Sequence, residues 1–87
     1  MSNKALSVEA NIAYQAFQEM RKSKEAYFKF LQEIDIKYKV SGSPSIAENQ
    51  QLEELLGIHD KNVVTFNKAM TAVEDFETRT ALIKLMS

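Results

Sequence analysis

Apolar side chains along the first half of the chain recur at alternating steps of four and three residues: Leu6, Ala10, Ala13, Phe17, Met20, Tyr27, Leu31, Ile34 and Tyr38. Lys24 occupies the one polar position in the series. This spacing is the seam of an amphipathic helix and predicts helix A over about residues 7–37. Ser7 is placed to cap it, and Glu9 puts a carboxylate in the first turn, where the helix dipole favours one. Tyr14 and Phe28 line one flank of the seam, and Ala16 and Phe30 the other. The apolar stripe is therefore too wide for a two-stranded coiled coil, and helix A should touch at least two other helices.

A second series runs Leu52, Leu55, His59, Asn62, Phe66, Ala69, Val73, Phe76, Thr80 and Ile83, flanked by Leu56, Val63 and Met70. Between the two series, Ser41 and Gly42 interrupt the pattern and give a loop over about 38–43. The following helix starts either at Pro44 behind Ser43, or at Ser45 with Glu48 as a capping box. Within the second series Gly57 suits a helix stop, Ile58 its hydrophobic contact and Asp60 a new N-cap. That divides the segment into helix B, about 44–56, and helix C, about 60–86. Unbroken, it would run roughly 63 Å against roughly 45 Å for helix A, at about 1.5 Å per residue. The mismatch favours a break near Gly57; the alternative is a continuous helix that overhangs its partner and is covered by another copy.

One stretch reads two ways. In "EIDIKYKVSGSPSIAE" the apolar residues Ile34, Ile36, Tyr38 and Val40 alternate as in a strand. Ile34 and Tyr38 are also the last seam positions, so the expectation is helix to about Lys37, with Val40 folding over the end of the bundle. The fold class is then all-α: residues 1–87 form a single domain, an antiparallel helical hairpin of two long helices with a short intervening helix or kink. Self-association would complete a four-helix-type bundle.

Composition supports this architecture. The 87 residues are 45% hydrophobic with two glycines and one proline, too apolar for disorder and too poor in turn residues for an all-β fold. Without cysteine there is no disulfide framework or thiolate metal site, which fits a reducing, cytoplasmic setting. No run approaches the ~18 apolar residues of a membrane span, and no secretory leader is visible. The net charge of −1 conceals two unlike halves: seven basic against five acidic residues in 1–40, and four against seven in 41–87. Opposite halves favour packing within the chain or between copies over binding to polynucleotides.

Candidate chemistry is sparse. His59 is the single histidine, with no second one at helical spacing, and is expected to be structural; no metal and no cofactor are implied. Glu74, Asp75 and Glu77 read as a solvated face, with Asp75 paired to Arg79. No phosphate loop, serine elbow or dinucleotide fingerprint is present, so catalytic residues are not expected. Arg21, Lys22 and Lys24 lie near Tyr14 and Tyr27, a combination that can hold phosphates and stack bases. On the seam, Lys24 could set register, pair with an acidic residue, or meet an anionic ligand.

Two functions follow. The first is a small non-enzymatic interaction protein, an adaptor, inhibitor or accessory regulator acting as a helical homo-oligomer and on a partner protein. Phe28, Phe30, Leu56, Val63 and Met70 would be its self-association surface. The alternative is a module for a small anionic, nucleotide-like ligand or nucleic acid, held by Tyr14, Arg21, Lys22, Lys24 and Tyr27.

Overall fold

The computed structural model describes residues 7–87, in three helices: α1 (Val8–Lys37), α2 (Ile46–Ala72) and α3 (Phe76–Met86). No strand occurs among the described residues. α1 and α2 form an antiparallel hairpin, and α3 folds back onto α1 at the end remote from the hairpin loop. The molecule is a rod of 57 × 19 × 16 Å with a radius of gyration of 17.5 Å. A compact domain of this length would have a radius of gyration of about 12 Å.

Local chemistry accounts for the helix ends. Ser7 Oγ accepts the Ala10 N–H at 3.1 Å at the start of α1. α2 opens with a capping box in which Ser45 Oγ accepts from Glu48 N at 3.1 Å, and Glu48 Oε1 accepts from Ser45 N at 2.9 Å. Glu48 also closes the loop across the hairpin: Tyr38 Oη donates to Oε1 at 2.6 Å and Lys37 Nζ to Oε2 at 2.8 Å. Gly42 adopts φ +89°, and a Cβ there would lie 3.2 Å from Tyr38 Cδ1. The turn thus wraps the Tyr38 ring. Val40 is carried outward, 95% exposed, and does not cover the bundle end as expected from its apolar character. Ile36 is also exposed on the last turn of α1, so the alternation in this stretch marks no strand.

The expected division at Gly57 is corrected. α2 runs unbroken through Gly57 and Asp60, and the chain leaves the helix at Val73–Asp75 instead. A Cβ on Gly57 would meet nothing within 4 Å, so no packing requirement turns the chain there. A lone helical glycine costs only about 1 kcal/mol, far less than breaking a turn of helix in mid-hairpin. Asp75, expected to pair with Arg79, instead caps α3: its Oδ2 accepts from Thr78 N at 2.8 Å and Thr78 Oγ1 at 2.6 Å. Those bonds, the side-chain one first, hold its carboxyl below the ordinary carboxylate range. The length mismatch is real, but it is relieved at the far end. The 27 residues of α2 span about 40 Å, close to the roughly 45 Å of α1, and the surplus returns as α3.

The buried apolar cluster lies where the three helices meet. Ala10, Ala13 and Ala16 of α1, Ala69 of α2, Val73 and Leu82 form it, with Tyr14, Phe66, Met70 and Met86 packed around them. The small alanine side chains let Leu82, which is fully buried, approach the α1 backbone closely. Beyond this cluster, toward the hairpin loop, Ile34 is the one hydrophobic residue among those described that is buried.

Two measurements check these local arrangements. Gly57→Ala should stabilise the protein by about 1 kcal/mol, a rise in melting temperature of about 4–8 °C by circular dichroism. A break at Gly57 would produce the opposite sign. The hydrogen bonds from Lys37, then Tyr38, then the Ser45 N–H hold the Glu48 carboxyl at about 2, down from an ordinary 4.5. A carboxyl depressed on folding contributes stability that is complete above about pH 4.5 and lost as pH falls toward about 2. Glu48→Gln should therefore melt lower than wild type at pH 7, and the gap should close across that acid window.

Candidate functional site

Midway along the hairpin, three polar side chains meet between α1 and α2. Ser23 is buried, and its Oγ lies 2.9 Å from the Met20 carbonyl, 3.2 Å from His59 Nδ1 and 3.1 Å from Asn62 Nδ2. Asn62 Nδ2 also donates to the Glu19 carbonyl at 3.2 Å. The roles across the Ser23–His59 contact follow the ring tautomer: with the hydrogen on Nδ1, the hydroxyl donates to Met20 O and accepts from both the Asn62 amide and the ring. A serine within hydrogen-bond distance of a histidine can be a nucleophile with its base. Ser23 also lies within hydrogen-bond distance of a helix carbonyl, the residue is 9% exposed, and no carboxylate is bonded to His59 among the described residues. The trio is a hydrogen-bonded layer that locks the two helices in register.

This layer corrects the reading of Lys24. The buried and half-buried positions follow Met20, Ser23, Tyr27, Phe30 and Ile34, so Ser23 takes the seam and Lys24 is exposed beside it. A hydroxyl can be satisfied between the helices by one carbonyl, one ring nitrogen and one amide; an ammonium there would have to be desolvated. Phe30 likewise replaces Leu31 on the seam, and Leu31 moves to the exposed flank.

Lys24 instead borders a cleft of about 580 Å³ that it lines with Phe17, Met20, Arg21, Phe28, His59 and others. Of the five residues expected to bind an anion, Arg21 and Lys24 share this cleft. Lys22 lies outside its lining, 3.5 Å from Glu19. Tyr14 packs against the buried cluster with its ring 6.4 Å from Phe17, and Tyr27 is half-buried, edge-on to Phe28 at 5.4 Å. Neither tyrosine lines the cleft with the two cations. Arg21 Nε is 3.5 Å from Glu25, an exposed pair of small energetic weight. Lys24 forms no ion pair among the described residues.

The expected self-association residues also separate. Met70 is covered at the three-helix end, where α3 supplies a layer that two helices alone would lack. Phe30 and Val63 are half-buried in the hairpin. Phe28 and Leu56 remain 52% and 40% exposed. Among the described residues no group of three or more His, Cys, Asp or Glu side chains is placed to hold a metal ion, and no helix is long and apolar enough to cross a membrane. No protein-family model, curated protein or solved structure matches the chain.

The polar layer makes a direct prediction. Ser23→Ala takes the Ser23 partner from His59 Nδ1 and leaves the Asn62 amide with only the Glu19 carbonyl, and should cost about 1–3 kcal/mol in urea unfolding. Replacing Ser23, His59 and Asn62 together with apolar residues should recover much of that loss, since no unpaired polar group then remains.

Proposed function

We propose that this chain is a small non-enzymatic interaction protein, an adaptor or accessory regulator that self-associates through helical faces and presents the resulting bundle to a partner protein. The observation that carries this reading is the unequal packing of the rod. One end has three helices around a buried cluster, with Val8, Ile12, Phe76, Ile83 and Leu85 exposed on its outer faces. The other has two helices, one buried apolar residue, and Phe28, Leu31, Leu56 and Ile58 at least one-third exposed. Two helices cannot enclose a core without another layer. Completing the burial of each half-exposed side chain is worth roughly 1 kcal/mol, and a second copy supplies that layer most simply. The absence of cysteine suits a cytoplasmic setting for such a protein.

A second reading, a module for a small anionic ligand, draws on one observation: Arg21, Lys24 and His59 border the same partly apolar cleft. The two are separable in solution. Sedimentation at micromolar concentrations should give a dimer or larger species of the 9.9 kDa chain, with melting temperature rising with protein concentration. A monomer stabilised by nucleoside phosphates, and no longer stabilised after Lys24→Ala, would replace the first reading with the second.

A further inference from the structure

The exposed flank of α1 carries its own heptad, Phe17, Arg21, Lys24, Phe28, Leu31 and Asp35, at steps of four and three. Phe28 stands near its middle, 52% exposed, as a ridge between two depressions. Toward the N-terminus lies the cleft bordered by Arg21, Lys24 and Glu25; toward the C-terminus lies a shallow groove of about 560 Å³ bordered by Glu25, Lys29, Leu31, Gln32 and Asp35. Arg21 and Asp35 are each seven residues from Phe28, on the same helical face and about 10.5 Å away along the axis in opposite directions. Asp35, like Lys24, forms no ion pair among the described residues.

The facing helix continues the surface. Ser23 meets His59, and Tyr38 meets Glu48, so the antiparallel register puts Phe28 level with Leu56. His59 and Val63 line the cleft beside Phe28, and Leu56 is three and seven residues before them, hence on the same face of α2. Leu56 is exposed there as well.

We infer that a second copy of this chain docks on this face about a two-fold axis through Phe28 and Leu56, with Arg21 of each copy opposite the partner's Asp35. This rests on the self-association reading above and specifies its interface. A two-fold axis at Phe28 runs α1 antiparallel to the partner's α1, and that operation carries position 21 onto position 35. Arg21, which meets Glu25 of its own helix at 3.5 Å, then faces the Asp35 end of the other copy's groove, twice. Each Phe28 ridge meets its counterpart on the axis, and α2 lies over the partner's α2 at Leu56. The result is an antiparallel four-helix bundle at the end of the rod that lacks a core. The same surface therefore satisfies both requirements of an isologous contact: apolar residues at its centre and opposite charges at equal distances to either side.

Charge exchange tests the register. Arg21→Glu alone and Asp35→Arg alone each place like charges opposite one another at two points, and each should weaken the dimer about tenfold in sedimentation equilibrium. Combined in one chain, they restore both pairs and should return the dissociation constant to near the wild-type value. Because the chain has no cysteine, Phe28→Cys introduces a single thiol, and mild oxidation should cross-link it across the axis. Glu33→Cys, on the opposite face of α1, should not cross-link under the same conditions. A wild-type oligomer whose double variant stays weakened, or that cross-links equally at both positions, would overturn this interface and leave self-association standing. A wild-type chain that is monomeric at micromolar concentrations would overturn both.

Discussion

The hydrogen-bonded layer formed by Ser23, His59 and Asn62 fixes how the two long helices meet. Helical apolar stripes can slide by a heptad with modest loss, because leucine, phenylalanine and methionine accept many neighbours. A buried hydroxyl that must find a ring nitrogen and an amide at 3.2 and 3.1 Å cannot slide. Such polar positions within an apolar seam set register at some expense of stability. From that single alignment follow the reach of Tyr38 and Lys37 to Glu48 at the loop, the level of Phe28 against Leu56, and the tilted contact of Phe17 with Phe66, 6.0 Å between ring centroids.

The layer also divides the rod energetically. Beyond it toward the chain termini, alanines narrow α1 until α3 can lie against it, and Leu82 is completely withdrawn from water. Toward the loop the side chains are larger, but no third helix reaches them. The open end is nonetheless well fastened, since Glu48 receives three hydrogen bonds, from Lys37, Tyr38 and Ser45. A hairpin tied at its loop and keyed at its centre holds an exposed apolar face in one conformation. Such preorganisation would lower the cost of the self-association proposed for this face.

Much of this was legible in the residues. The helical periodicity and the caps at Ser7 and Ser45 describe the hairpin observed. Two features were misplaced for definite reasons. Steps of three and four are equally helical, so spacing alone could not choose between Ser23 and Lys24 on the seam. The difference in desolvation between a hydroxyl and an ammonium makes that choice. The signal was present in His59 and Asn62, which interrupt the opposite seam at the same level of an antiparallel pair. The second feature was the break. Gly57 resembles a helix stop, but the 3-4 pattern continues across it through Leu55, His59, Asn62 and Phe66. Asp75 and Thr78 are a cap whose bonds can form only where the backbone leaves the helix, as it does at Val73, with ψ 95°.

That relocation changes which surfaces are free. With a break at Gly57, helix C would have followed α1 along its length and shared its coverage between both ends. With the break after Ala72, the third helix is confined to one end, where it covers Tyr14 and Met70 and leaves Phe28 and Leu56 unattended. Among the apolar residues proposed for association, those near the hairpin's middle are thereby distinguished from those already used by the fold. The charges distinguish them further. Lys24 leaves the seam because burial would be costly, and once outside it stands with Arg21 on a stripe that ends in the unpaired Asp35. The same desolvation cost that sets the internal register thus leaves Lys24 in water on the outer face, on the stripe that carries Arg21, with its Glu25 partner, and Asp35.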